Sequence, residues 1–331
     1  MARLALMKLE AALLALAMAL AAATASAQSP SPVKRVAYVN LFAHGPSAPY
    51  TESFRERMAE LGWKDGRNVV IESHDAQGSP EKLAAIMQEL VRTKVDMIVA
   101  MCTPEAIAAK KVTTTIPIVI AAVGDPVAAG LVASLSRPGG NITGVSSVML
   151  PLSAKRVSIL KEAFPQLKRV TVLWNPDRKD NAPEVAIMQE TARQLGVEMR
   201  SAQVRTREEL ATVLEMLAVD GTQAILNSGD NLLSSQAVPV VNRAAQLRIP
   251  GMYEERIFVE HGGLMSYGPD LRVQHRRAAD YVDRIFKGAK PGDLPMEQPS
   301  RFELVVNRGA ARRLGVEFPA NVLLQADRVV D

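Results

Sequence analysis

The run from Asp96 to Ser147, DMIVAMCTPEAIAAKKVTTTIPIVIAAVGDPVAAGLVASLSRPGGNITGVSS, constrains the fold more than any other part of the chain. Two apolar stretches, Met97 to Met101 and Ile116 to Val123, predict strands buried on both faces. Each is followed by a polar residue and a proline, Thr103-Pro104-Glu105 and Asp125-Pro126. Thr103 and Asp125 are therefore expected to cap helices, with proline where a missing N–H costs nothing. Two such turns, adjacent in a parallel sheet, put free amides and positive dipole ends at the sheet's carboxyl edge. Such sheets hold small ligands at that edge, and a residue that caps a helix there can also touch a ligand.

The same alternation runs through the whole chain. Arg35 to Asn40 predicts a strand, LFAHGPSAPY a loop at its carboxyl end, and Phe54, Met58 and Leu61 a helix; NVVIES is the next strand and Glu81 to Lys94 a second helix. Regular βα repetition implies right-handed crossovers and a mostly parallel sheet covered on both faces. The pattern then replays: Lys34-Arg35-Val36 returns as Lys168-Arg169-Val170, Leu61-Gly62 as Leu195-Gly196, and Ile116-Pro117 as Ile249-Pro250. A repeat this long means two similar lobes, which suits 331 residues. The expected fold class is α/β, with two doubly wound parallel-sheet lobes and a ligand cleft between them. The first lobe is assigned 34–146 plus 270–290, the second 147–269 plus 291–331. Hinges are expected at Ser146 to Ser153 and around Gly288 to Pro295.

Residues 1–27 stand apart. Arg3 and Lys8 precede an Ala/Leu/Met run from Ala11 to Ala23, and Ala25-Ser26-Ala27 supplies small residues for cleavage before Gln28, so a secretory signal peptide is expected. Cys102 is the one cysteine, which excludes an internal disulfide, and 4% aromatic residues with scattered basic ones exclude a nucleic-acid groove.

Little here resembles catalysis. Gly139, Gly140 and Gly144 precede a strand and fit neither G-x-G-x-x-G nor a P-loop. The histidines, His44, His74, His261 and His275, have no metal-ligand spacing, and only His44 lies in a loop at a strand's carboxyl end. No metal or cofactor is expected. Second-lobe strands end in Trp174-Asn175-Pro176, Asn227 to Asn231, Met252-Tyr253-Glu254 and Ser266-Tyr267-Gly268. Asp125, Asp230 and Glu254 could form an acid/base pair, hold a ligand ammonium or cap helices; Phe42, Tyr253 and Tyr267 could wall a pocket. The inventory supports binding without chemistry. The rival readings are an exported enzyme using Asp125, Asp230 or Cys102, and a ligand-sensing module of a signalling system.

The run TPEAIAAKKVTTTIPIVIAAVGDPVAAGLVASLSRPGGNITGVSS resembles ABC transporter substrate-binding proteins related to tryptophan/tyrosine-binding receptors, as do LGWKDGRNVVIE, GGLMSYGPD and KGAKPGDLPMEQPSRFELVVN. The resemblance implies a type I periplasmic binding protein fold, with three crossovers between lobes that close on a small ligand. It also implies a periplasmic receptor that delivers its solute to a membrane permease driven by a separate ATPase, and a monomer is expected. Ligand contacts are implied at Asn40, Phe42 and His44, at Thr103, Pro104 and Glu105, at Val123, Gly124 and Asp125, and at Asp230 and Asn231. Strand-end position adds Asn175, Tyr253 and Tyr267. LFAHGPSAPY and MYEERIFVEHGGLMSYG depart from the aromatic amino-acid receptors, so the resemblance does not carry the ligand's identity.

Overall fold

The computed structural model describes residues 32–42, 48–147, 150–178 and 181–331. The expected signal segment and His44 lie outside the described residues. The first sheet comprises β1 (Lys34–Asn40), β2 (Val69–Asp75), β3 (Met97–Ala100), β4 (Ile118–Val123) and β5 (Ile142–Ser146). All its pairs are parallel, in the order β2-β1-β3-β4-β5. The second comprises β6 (Arg169–Trp174), β7 (Glu198–Gln203), β8 (Ala224–Asn227), β9 (Gly251–Tyr253), β10 (Met265–Pro269), β11 (Phe302–Asn307) and β12 (Arg328–Val330). Its order is β12-β11-β10-β9-β8-β6-β7. The portion β7-β6-β8-β9-β10 repeats the first sheet's order, so the sequence repeat is a repeat of topology. The exception to parallel pairing is β11, antiparallel to β10 with Phe302 opposite Pro269. The chain re-enters this lobe at the carboxyl end of β10 and can only run back along it.

Strand alternation explains why these runs are apolar throughout. Val36, Tyr38, Met97, Val99 and Val119 point into one core with Phe54, Met58, Ala278 and Val282. Ala37, Val39, Ile98, Ala100 and Ile120 point into the other with Leu83, Met87 and Leu90. Helices Ala48–Glu60 and Leu271–Phe286 thus cover one face of the first sheet, and Pro80–Arg92 and Thr103–Val112 the other. Two cores sandwich the second sheet in the same way, one built on Val170, Val172 and Leu226, the other on Leu173, Ile225 and Tyr253.

The chain passes between lobes three times: after Ser147, at Asp270, and between Glu297 and Phe302. The third passage lies beyond the expected Gly288 to Pro295 hinge. That connector is pinned to the first lobe, where the Thr143 hydroxyl donates to Leu294 O (2.7 Å). Met296 N donates to Leu135 O (2.7 Å) and Glu297 N to Gly144 O (3.1 Å), so 291–297 pack with the first sheet despite their glycine and proline content. The helix expected after Asp125 does not form. Residues 126–130 make a single turn, ended by Gly130 at φ +66°, before the serine- and proline-rich run to Gly140.

Candidate functional site

The carboxyl ends of both sheets face a shared cleft of about 820 Å³. From the first lobe it is lined by Leu41 after β1, Cys102, Thr103 and Pro104 after β3, Gly124 and Asp125 after β4, and Ser147 after β5. The second lobe supplies Asp177 and Arg178 after β6, Gly229, Asp230 and Asn231 after β8, Glu254 and Glu255 after β9, and Glu184 from helix Asn181–Gln194. On the first-lobe side the cleft runs on over an apolar floor of Leu83, Ile107, Ala108 and Ala129.

The cap of helix Thr103–Val112 is Cys102, one residue earlier than expected. Glu105 supplies the capping carboxylate, accepting from Cys102 N (3.2 Å) and Leu41 N (2.6 Å). It is fully buried, and desolvation raises its pKa against the pull of those amides. Glu105 therefore braces the walls of the cleft without lining it. Its work leaves the Thr103 hydroxyl idle: Oγ1 is buried at the cleft with no hydrogen-bond partner. Thr103→Val should consequently leave the melting temperature nearly unchanged while weakening ligand binding about tenfold or more, measured by thermal melting and calorimetry. Asp125 is exposed, and its Oδ1 accepts from Val127 N (3.0 Å) and Ala128 N (2.9 Å).

The opposite wall is acidic. Glu184, Asp230, Glu254 and Glu255 are all buried, and desolvation raises the pKa of each. Glu184 pairs with Arg156, which is fully buried, and accepts from the Ser153 hydroxyl (3.1 Å). Asp230 caps helix Asn231–Ser235, its Oδ1 accepting from Leu232 N (2.9 Å) and Leu233 N (3.3 Å). Glu255 accepts from the Ser234 hydroxyl (2.6 Å) and, across the lobes, from the Tyr50 hydroxyl (3.0 Å). Phe42 is a second bridge, packing against a core of each lobe. Tyr50 also stacks on His275 (5.4 Å), whose imidazole is pushed down to about 3 by burial and stays neutral.

Thr103, Pro104, Gly124, Asp125, Asp230 and Asn231 thus meet at the cleft, while the other expected residues among the described ones stand behind it. Val123 is core. Asn40 is buried, its Oδ1 accepting from Phe42 N (3.0 Å). Asn175 backs Asp230 through a side-chain hydrogen bond. Tyr253 stacks on Phe258 (4.6 Å), and Tyr267 packs against the second-lobe core. Asn40, Val123 and Tyr253 end their strands as buried residues, and the residue after each, Leu41, Gly124 and Glu254, lines the cleft; Asn175 follows β6 and Tyr267 lies within β10. Carrying the strand-end rule one or two residues further finds Leu41, Ser147 and Glu255, while Arg178 lies four residues past the end of β6. Glu184, in the first turn of a helix, has no comparable signal.

The family model for ABC transporter substrate binding proteins matches residues 36–330. The chain belongs to that family. Among similar substrate-binding proteins, a tyrosine-binding protein of Clostridioides difficile (strain R20291) is 28% identical over 285 residues, 86% of this chain and 81% of the relative. A Streptococcus pneumonia ABC domain in complex with L-Trp is 27% identical with a TM-score of 0.82, covering 90% of this chain and 100% of that one. A Clostridium difficile substrate binding protein with adhesive properties, in its ligand-free, open structure, is 28% identical over 90% of this chain and 99% of that one, with a TM-score of only 0.65. At nearly the same identity, 27% against 28%, the tryptophan complex superposes better than the open form. Lobes joined by Tyr50–Glu255 and by Phe42 fit that difference.

Proposed function

We propose that this substrate-binding protein captures a small organic solute between its lobes outside the cytoplasm and hands it, chemically unchanged, to the permease of an ABC importer powered by a separate ATPase. On this reading the N-terminal segment is a signal peptide cleaved near Ala27, and the mature protein works as a monomer in the periplasm. The observation that carries the reading is the convergence of strand ends from two like sheets on one cleft containing the idle Thr103 hydroxyl. A ligand carboxylate would rest on that hydroxyl and the amides near Gly124, with Asp230 and Asn231 closing from the other lobe. The L-Trp complex and the tyrosine-binding relative favour an amino-acid-like solute. Catalysis is disfavoured because the candidate groups are committed elsewhere. Asp125 and Asp230 hold backbone amides, and burial pushes the Cys102 thiol well above the reactive range.

Closure follows from the ligand's preference for the joined lobes, with bending at the Ser147, Asp270 and 298–301 passages. Small-angle scattering should show compaction on ligand addition, and a turnover assay should recover the ligand unaltered. Binding without compaction, or consumption of the ligand, would sink the reading. Tyr50→Phe deletes a hydrogen bond to a carboxylate made across the lobes, a contribution of about 1.5–3 kcal/mol. Binding should weaken roughly tenfold or more, with a smaller compacted fraction at a given ligand concentration.

A further inference from the structure

Glu254 is unlike the other carboxylates of the acidic wall. Glu184 has Arg156 and Ser153, Asp230 has two amides, and Glu255 has two hydroxyls. Glu254 spends its backbone N–H on Asn227 Oδ1 (3.1 Å), but its Oε2 is buried with no hydrogen-bond partner. The residue is 4% exposed and lines the cleft. Its carboxyl lies flat against Gly229, where a Cβ would come within 2.4 Å of Oε2, so glycine is what admits it to this position. The charges facing it come from several elements. Glu184 is on helix Asn181–Gln194, Arg156 on helix Leu150–Ala163, Arg178 follows β6, and Glu255 is its neighbour in the chain. Asp230 adds a further carboxylate from the loop after β8. Two guanidiniums thus face four carboxylates in a buried wall, an excess of negative charge that burial disfavours.

Resting on the receptor reading, we propose that the solute carries a cationic nitrogen, an ammonium or guanidinium, that seats against the Glu254 carboxylate and displaces a proton from it into solvent. In the free protein the carboxyl holds its proton, because burial and the adjacent Glu184 push its pKa well above the carboxylate range. The incoming cation replaces that proton, so the wall's net charge is the same in both states. A raised carboxyl must lose its proton to accept the cation, so binding strengthens as pH rises toward the free-protein pKa and levels off above it.

The mature protein should be screened by thermal shift against matched probes: tyrosine, tyramine and 3-(4-hydroxyphenyl)propionate; arginine, agmatine and 5-guanidinopentanoate; and aliphatic amines with their carboxylate counterparts. Every stabilising probe should bear a cationic nitrogen. Calorimetry of the tightest probe in buffers of different ionisation enthalpy should then show release of about one proton, with affinity rising toward about tenfold per pH unit below the free-protein pKa. Glu254→Gln should abolish the release and weaken binding by about two orders of magnitude while keeping the wild-type circular dichroism. A probe without cationic nitrogen that binds as tightly as its amine partner, or proton release that survives in Glu254→Gln, overturns the proposal and leaves the receptor reading standing. If Glu254→Gln does not fold, the wild-type comparison of tyrosine with 3-(4-hydroxyphenyl)propionate and of each aliphatic amine with its carboxylate counterpart, partners that bear no cationic nitrogen, decides. Stabilisation by no probe at all counts against the receptor reading itself, and the proposal falls with it.

Discussion

Gly144→Ala is expected to disrupt the first lobe. Gly144 sits in β5 at φ +135°, a backbone region that side chains rarely adopt, and an added Cβ would lie 2.1 Å from Ile120 O and 2.7 Å from Ile120 N. The closeness comes from the ladder: Gly144 pairs with Ile120 just where the β4–β5 register shifts, before Val123 pairs with Ser146. Backbone of a central strand cannot swing aside as a flexible side chain could. Strained dihedrals cost about 1–3 kcal/mol and overpacking a further 1–3, so roughly 2–6 kcal/mol is lost. That is a large share of the stability of an ordinary domain. Urea unfolding should show the first-lobe transition shifted to much lower denaturant, and ligand binding should go with it, because Gly124 and Ser147 are the residues that leave these two strands. A variant as stable as wild type would mean that β4 and β5 are not paired in this way.

Arg156→Met should have a comparable cost in the second lobe. Arg156 is fully buried, paired with Glu184 and donating to the Ser153 hydroxyl (3.3 Å). Methionine fills similar space but leaves Glu184 without its cation, and breaking a buried pair from one side costs about 3–5 kcal/mol. The pH dependence identifies the cause. Desolvation already raises the Glu184 pKa above its ordinary 4.5, and Arg156 is the chief group holding it down. Without the arginine it rises further. A carboxyl whose folded pKa is raised carries no penalty while protonated, below about 4.5, and accumulates one as pH climbs to the folded value. Destabilisation measured by urea melts should therefore be smallest near pH 5 and largest at pH 8. Arg156→Met combined with Glu184→Leu should recover most of the loss, since a charge-free pair leaves nothing uncompensated.

The layer order of this fold was legible because parallel strands buried on both faces have no choice but to be continuously apolar, as Met97–Ala100 and Ile118–Val123 are. The lobe repeat was legible for the same reason, with β6 to β10 re-using the pattern of β1 to β5. Helix starts were less so. Thr103 and Asp125 have the same local chemistry, yet one stretch continues as a helix and the other stops after a turn at Gly130, and Cys102 takes the cap because Glu105 reaches back to it. The cleft was half legible: strand ends point to the right edge, but whether a terminal side chain faces core or cleft depends on a one-residue parity. Tyr253 and Glu254 fall on opposite sides of that choice. The pairing of Arg156 with Glu184 joins two helices, and no spacing in the sequence announces it.

The first lobe borrows Ala278 and Val282 from helix Leu271–Phe286 and is tied down by residues as late as Glu297. Neither half of the molecule is a continuous length of chain. During synthesis the amino-terminal half must wait, incomplete, while the whole middle of the protein emerges, and its most distant partners arrive only near the end. Such long-range closure slows folding. A polypeptide with this weave stays unfolded longer on leaving the ribosome than one built from two successive domains, and cutting it at residue 147 would release an amino-terminal fragment lacking part of its own core.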